Sequence, residues 1–384
     1  MKRIAHTART ALAIALVCLT APAAAQLAVS ANDNKQINVA GVGSVVANPA
    51  PDTVSVFDIG VFPPKQIGEV QAATSVVGPP SGVAVAPDES FALVTAGVKK
   101  SPSDPTKTVD DNRLTVIDLK AMKVVQTLDA GMGAAGVAIN PQGTLALVAN
   151  RNEGTVSVFT IQGNRLAPAG KIALGKADSG PSAVKFIGDG KRALVTRDGD
   201  SMITMLAVDG DKVTATSRNI YAGIRPYGAD VTPDGRYAVV ANVGRGQGDA
   251  DTASLIDLSM SPPRVVDTIT VGPTPEGVKI SPNGKYVAVV VHNGSTAVPT
   301  SPFYNAFGKV VLLGISGGRL VKLSEERIGR WSQGSAFSAD SNTLIVQNMV
   351  EKDMQVFKIE LDQLRDTWHR VKLTGGGAAL GTAR

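Results

Sequence analysis

Residues 225–242, RPYGADVTPDGRYAVVAN, are one copy of a unit that recurs along the chain and limits what it can fold into. An alternating run containing Ala229 and Val231 leads to Pro233, Asp234 and Gly235, and then to a β-branched run ending at Asn242. Proline presets φ and glycine accepts positive φ, so the sequence predicts two strands joined by a tight turn. One hairpin is marginal in water, so the unit must be repeated to bury its faces. Six copies, aligned on Gly82, Gly136, Ala183, Gly228, Gly277 and Gly334, lie roughly fifty residues apart, and strand-only repeats of that length read as propeller blades.

Third strands are predicted at residues 114–119, 155–161, 203–208, 253–258, 309–313 and 354–359. Fourth strands follow at 124–128, 171–174, 213–220, 265–271 and 320–326. In the last repeat, Leu361, Leu364 and Trp368 stand at helical spacing and predict a helical turn before residues 370–373. Near the N-terminus, residues 43–48 resemble the second strand at 145–150, and residues 52–59 match 154–161 almost residue for residue. The chain therefore enters a blade at its second strand, behind a flexible arm at residues 26–36. Residues 376–380 fall where a seventh copy begins and are read as the strand that completes this blade beside residues 42–48. The expectation is an all-β fold: a single seven-bladed β-propeller of four-stranded blades over residues 37–384, closed by a C-terminal strand in the N-terminal blade.

Residues 1–25 read as a cleaved signal peptide. Lys2, Arg3 and Arg9 form the charged region, residues 11–19 the apolar core, and Ala23, Ala24 and Ala25 the cleavage site. The expected location is periplasmic or secreted. The one cysteine, Cys18, would leave with this segment, which excludes disulfides, thiolate chemistry and cysteine-held metal or haem. Losing three cations from a net charge of +5 leaves a near-neutral chain. No later apolar run is long enough to span a bilayer. A monomer is expected.

The pattern P-x-G-V-x-x-x-P-D-G, then V-x-A-N, then T-V-S-V-x-D, resembles the YVTN-type repeat of the lactonase-like, seven-bladed propeller superfamily. Residues 226–242, Asn150 with residues 155–158, and residues 274–284 carry it best. The resemblance covers residues 42–380 and rests on turn and core positions. It implies a propeller, and a superfamily containing 6-phosphogluconolactonase-like and muconate-cyclase-like enzymes beside binding modules and scaffolds. Those enzymes use a His, Glu and Arg cluster at the channel mouth. No residue-by-residue match to it exists here, so no catalytic residue is assigned.

In a four-stranded blade, connections from second to third strand share a face with those leading to the next blade. That face is predicted to gather Arg151, Arg197, Arg225, Arg245, His292 and Arg330, with Asn150, Asn242, Asn293, Gln347 and Asn348. One long connection there, residues 293–308, carries Phe303, Tyr304 and Phe307 near Trp331. The candidate ligand site is Arg151, Arg197, Arg225, Arg245, His292, Tyr304, Trp331 and Gln347. Guanidinium groups suit carboxylate or phosphate, and aromatic rings suit a flat or sugar-like body. A plainer reading makes His292 a strand-end cap like Asn150, Asn242 and Gln347, and the arginines a solvated rim.

His292 and His369 are too few and too separated for a zinc site, and no acidic group has calcium-loop spacing. No phosphate loop, nucleophile elbow or dinucleotide fingerprint occurs, and no cofactor or metal is expected. The reading favoured by the sequence is an exported, non-catalytic binding or scaffold propeller. Its partner would be an anionic small molecule, a polymer such as single-stranded nucleic acid, or a protein. The alternative is a lactonase-like hydrolase of a lactone or sugar phosphate, using His292 and rim carboxylates.

Overall fold

The alternating runs pair as the pattern demands. In the computed structural model, which describes residues 26–383, seven four-stranded antiparallel sheets form the ring of a propeller. Blade 3 shows the plan: strands Ala134–Ile139, Leu145–Asn150, Thr155–Gln162 and Arg165–Ala173 run outward from the channel. Among the described residues the only helix is a single 3₁₀ turn, Ala177–Ser179.

Second strands such as Leu145–Asn150, Tyr237–Asn242 and Tyr286–Val291 are buried along their whole length, because both faces of a blade meet neighbouring blades. Leu147, Val156 and Val158 of blade 3 thus pack on Val184, Phe186 and Val195 of blade 4. Each such side chain contributes on the order of 1.5–3 kcal/mol. First strands crowd the axis, which accounts for the glycine in the repeat. A Cβ on Gly228 would lie 2.0 Å from the Glu276 carbonyl oxygen, and one on Gly136 would lie 2.3 Å from that of Ser182.

The asparagine of the repeat is a corner brace. Asn150 Nδ2 donates to Thr155 Oγ1 (2.9 Å) and Ser157 Oγ (3.0 Å) on the third strand, while its Oδ1 accepts the Gly131 amide (2.9 Å). Asn242 reaches Thr252 and Ser254 in the same way, and Asn348 reaches Asp353.

Closure by the C-terminal strand is as expected: Gly376–Thr382 is the first strand of blade 1. Its partner is not. Gly376–Thr382 pairs with Leu27–Asp33, which in turn pairs with Thr53–Asp58. Residues 27–33 are therefore a buried second strand and not a flexible arm. Asn32 is the corner brace of blade 1, bonding Thr53 Oγ1 (3.0 Å) and Ser55 Oγ (2.9 Å). The stretch read as that strand is instead the hairpin Gln36–Val39 with Val42–Val45, inserted between second and third strands.

The hairpin is anchored by ions. Lys35 Nζ, almost fully buried, lies 3.0 Å from Asp33 Oδ2, 2.7 Å from Asp52 Oδ2 and 2.6 Å from the Thr74 carbonyl oxygen. The helical turn expected at 361–368 is also replaced. Leu361 and Asp362 form a positive-φ turn into the strand Gln363–Lys372, where Leu364 points inward and Leu361 and Trp368 face solvent.

Candidate functional site

The strand ends at the mouth bring two kinds of position together. One is the residue before the recurring small residue of the first strands: Ser182, Tyr227, Glu276 and Gln333 in blades 4 to 7. The other is the residue after the corner: Arg151, Asp198, His292 and Met349 in blades 3, 4, 6 and 7. The register that pairs Pro275 with Val291 makes Val291 the corner of blade 6, so His292 is one residue past it and does not replace the bracing asparagine. Gln347 is likewise one residue before the corner, Asn348.

A guanidinium–carboxylate cluster spans three blades. Arg151 Nη1 lies 2.8 Å from Asp198 Oδ1 and its Nη2 lies 3.2 Å from Oδ2, a bidentate pair. Asp198 also accepts from Arg225 Nη2 (3.0 Å) and Ser182 Oγ (2.7 Å), and only 3% of the residue is exposed. The Arg151 guanidinium sits over the Tyr227 ring, 5.2 Å from its centroid. Burial works against the charge on Arg151, but Tyr227 and Asp198, with Glu276 behind them, outweigh it and hold the guanidinium above its usual pKa. The Tyr227 phenol is pushed upward by burial and remains protonated. An open depression of about 420 Å³ adjoins the pair, lined by Arg151, Asn152, Asp178, Gly180, Asp198 and Gly199.

Blades 6 and 7 add a second cluster. Glu276 Oε2 stands 3.5 Å from His292 Nε2 and accepts from Gln333 Nε2 at 3.2 Å. Gln333 Nε2 is also 3.3 Å from His292 Nε2. The imidazole is buried, whereas 18% of the Glu276 side chain reaches solvent. Tyr227, under the Arg151 guanidinium, precedes Gly228, whose backbone packs against that of Glu276, so the two clusters adjoin across blades 5 and 6. The arrangement offers a carboxylate that can accept a proton, an imidazole behind it, and guanidinium donors beside it.

Of the residues expected at the site, Arg151, Arg225 and His292 are drawn into this sector, the last through Glu276. Arg197 stands at the corner of blade 4, bonding Thr204 Oγ1 (3.0 Å) and pairing with Asp200. Gln347 seals blade 7 to blade 1 through Ser30 Oγ (2.7 Å) and the Ala379 carbonyl oxygen (3.1 Å). Trp331 packs by Val76, Met349 and Ala378. Arg245 is exposed on its loop, and Tyr304 is exposed beside Phe303 and Phe307. The rim is not the cationic collar foreseen, since Arg151, Arg197, Arg225 and Arg330 each have a carboxylate partner. Asp198, Tyr227, Glu276 and Gln333 were missed. Tyr227, Glu276 and Gln333 share one position in the repeats, before the small residue of the first strand, and that was the available signal; Asp198 takes the position of Arg151 and His292, one past the corner.

No family model matches the chain, and no curated protein matches it. Solved structures do. A proposed 6-phosphogluconolactonase from Bacteroides uniformis superposes with a TM-score of 0.69 at 17% identity, over 94% of this chain and 100% of its own. The periplasmic gluconolactonase of Pseudomonas aeruginosa gives 0.67 at 15% identity, over 94% and 99%. A protein of unknown function from Desulfotomaculum acetoxidans gives 0.69 at 13%, over 94% and 99%. Among the described residues no helix is long and apolar enough to cross a membrane. At these identities the likeness is one of fold, and in fold this chain is a seven-bladed β-propeller.

Proposed function

We propose that the mouth binds a small polar ester and hydrolyses it, as a lactonase-type enzyme. The observation that carries this reading is the convergence of Glu276, His292, Arg151 and Arg225 in one sector. We prefer it to the purely binding role favoured from sequence because Glu276, a carboxylate with part of its side chain open to solvent, stands among these groups as a potential base. The two lactonase neighbours, each sharing the fold over nearly its whole length, add support.

In this mechanism Glu276 takes a proton from water as the oxygen attacks the lactone carbonyl carbon. The guanidinium groups of Arg225 and Arg151 donate to the oxyanion that develops there. Collapse of the tetrahedral species breaks the ring C–O bond, and the proton held by Glu276 passes to the departing alkoxide, giving a hydroxy acid. His292 and Gln333 orient the carboxylate from behind. Asp198 holds both guanidinium groups in place, bidentate to Arg151.

The second reading is capture without turnover. It is favoured by the burial of His292, which keeps the imidazole from touching a ligand directly. Acid release from gluconolactone, 6-phosphogluconolactone and γ-butyrolactone, followed by pH-stat with purified protein, decides between them. The expected result is turnover above the spontaneous rate, cut on the order of 10²-fold or more by Glu276→Gln. Rates equal to spontaneous hydrolysis with all three lactones would overturn the enzymatic reading. Calorimetric binding of gluconate in that case would establish the second.

A further inference from the structure

Three blades pass from second to third strand at the mouth in four residues, 151–154, 198–201 and 349–352. Blade 1 takes residues 34–52 for the same corner, and blade 6 takes residues 292–307. A propeller closes with the short form, so these two insertions have another use. They meet each other. The hairpin of blade 1 turns at Ala40 and Gly41, both with positive φ, and a Cβ on Gly41 would strike the Ala297 carbonyl and the Val298 nitrogen. The hairpin thus reaches past blade 7 to the loop of blade 6. Both insertions are held in place. Lys100 Nζ donates to the carbonyl oxygens of Val46 (2.7 Å) and Ala47 (3.0 Å) at the hairpin base, and the Phe303 ring packs on Gly248 of blade 5.

The surface they present differs from the rest of the mouth in two respects. Residues 36–51 and 293–308 carry no charged side chain, whereas Arg151, Asp198 and Arg225 stand at other corners. Large apolar side chains also face outward. Val39 is 61% exposed, Val42 54%, Phe303 51% and Phe307 47%, with Val298 and Tyr304 exposed beside them. Single exposed apolar residues need no explanation, but a group of them on adjoining segments marks a binding surface.

One partner fits. No two of the three rings are in contact. Separate rings on a loop tip suit insertion between lipid chains better than stacking on a sugar or base. Insertion requires backbone groups satisfied from within. Inside the loop the amides of Ala297, Ser301 and Tyr304 donate to the carbonyls of Gly294, Val298 and Ser301, at 2.9–3.0 Å. Cations flank the rings. The Arg327 guanidinium lies 5.6 Å from the Phe307 centroid, and Arg245 is exposed on the loop that meets Phe303. Lys309 and Arg330 pair with Glu325 and Glu351, but neither Arg327 nor Arg245 has a carboxylate partner among the described residues. We infer that the two insertions dock together on a bilayer containing anionic phospholipid. Their rings and valines enter the boundary between headgroups and acyl chains, and Arg245 and Arg327 meet the phosphates. None of these residues takes part in the proposed hydrolysis.

The test is flotation of purified protein through a density gradient with vesicles of phosphatidylcholine, alone or mixed in equal parts with phosphatidylglycerol. Expected is recovery with the mixed vesicles, at least about tenfold less with phosphatidylcholine alone, and a decline as salt is raised. Phe303→Ser with Phe307→Ser melts close to wild type and floats at least about tenfold less. Val39→Ser with Val42→Ser, on the other insertion, does the same, so either pair serves should the other fail to fold. Arg245→Gln with Arg327→Gln removes the preference for phosphatidylglycerol. Leu361→Ser, at a solitary exposed leucine on the opposite face, floats as wild type. No flotation, equal recovery with both vesicles, wild-type flotation of either folded serine variant, or equal loss in Leu361→Ser would each overturn the docking. So would a dimer in ultracentrifugation that the serine variants abolish, since a second copy would then cover the surface.

Discussion

Replacing Lys35 by Met tests whether the N-terminal segment is part of the ring. The ammonium is the cation shared by Asp33 and Asp52, with side-chain exposures of 5% for Lys35, 0% for Asp33 and 12% for Asp52. Removing one partner of a buried ion pair costs about 3–5 kcal/mol, because the charges left behind stay buried. Unfolding entropy of about 2.1 cal/mol/K per residue gives about 0.75 kcal/mol/K for this chain, so the melting temperature falls by about 4–7 °C. Backbone amides of Lys35, Gln36 and Val76 still serve Asp33, which keeps the loss from being larger. The pH dependence has a defined sign. Burial already raises the pKa of Asp33, against the pull of Lys35, and losing the cation raises it further. A carboxyl with a raised folded-state pKa stabilises fully below the unfolded value, about 3.9, and loses that contribution as pH rises through the folded value. The deficit of Lys35→Met is therefore larger at pH 7 than near pH 4.5, as thermal melts at both will show. A loss under about 1 kcal/mol, or one independent of pH, would refute the ion-cluster argument.

Other substitutions probe the ring and the turns. Gly228→Ala places a methyl 2.0 Å from the Glu276 carbonyl oxygen and should cost about 1–3 kcal/mol or more; Gly43→Ala, with open space around it, should melt like wild type. Deleting residues 376–384 or residues 26–33 should destabilise comparably, since each removes one partner of the same strand pair; a truncated protein melting like the full chain would disprove closure. The turn carboxylates Asp88 and Asp234 are held below the usual range by the hydroxyls of Ser90 and Thr232. A depressed folded pKa gives stability above the unfolded value that is lost as pH falls, so the double change to Asn should flatten the decline below about pH 4 in denaturant titrations.

Blade number and order were legible because turn chemistry and apolar runs repeat together. The start of the ring was misplaced for a traceable reason. Two Ala-Asn pairs precede Thr53, at Asn32 and Asn48, and the second has the spacing that separates Asn150 from Thr155, |i−j| = 5. Blade 5 shows that the interval varies, since Asn242 reaches Thr252 at |i−j| = 10, and in blade 1 the inserted hairpin extends it to 21. Ser30, Asn32 and Asp33 look solvent-facing by type, yet all three are buried and hydrogen-bonded, Ser30 to Gln347, Asn32 to Ser55 and Asp33 to the Val76 amide. The helical spacing of Leu361, Leu364 and Trp368 misled because only Leu364 packs inward. For the site, arginines were legible as residues on one face, but not their neutralisation. Asp198 sits in an Asp-Gly-Asp run that reads as ordinary turn chemistry, and only three-dimensional register brings it to Arg151 and Arg225.

Sharing blade 1 between the two chain ends sets an order of events during synthesis. Leu27–Asp33 emerges near the start, with one edge to be covered by Gly376–Thr382. Until those last residues arrive, a buried-type strand shows unpaired amides and carbonyls to its surroundings. The pairing that completes the ring joins Ala28 to Thr382 and is the most non-local strand pairing among the described residues. Six blades can assemble from neighbouring segments as they appear, while the seventh waits for Gly376–Thr382. A nascent chain stalled anywhere before Gly376 therefore holds an open, adhesive ring, and only a chain that carries Gly376–Thr382 is sealed against pairing with another copy.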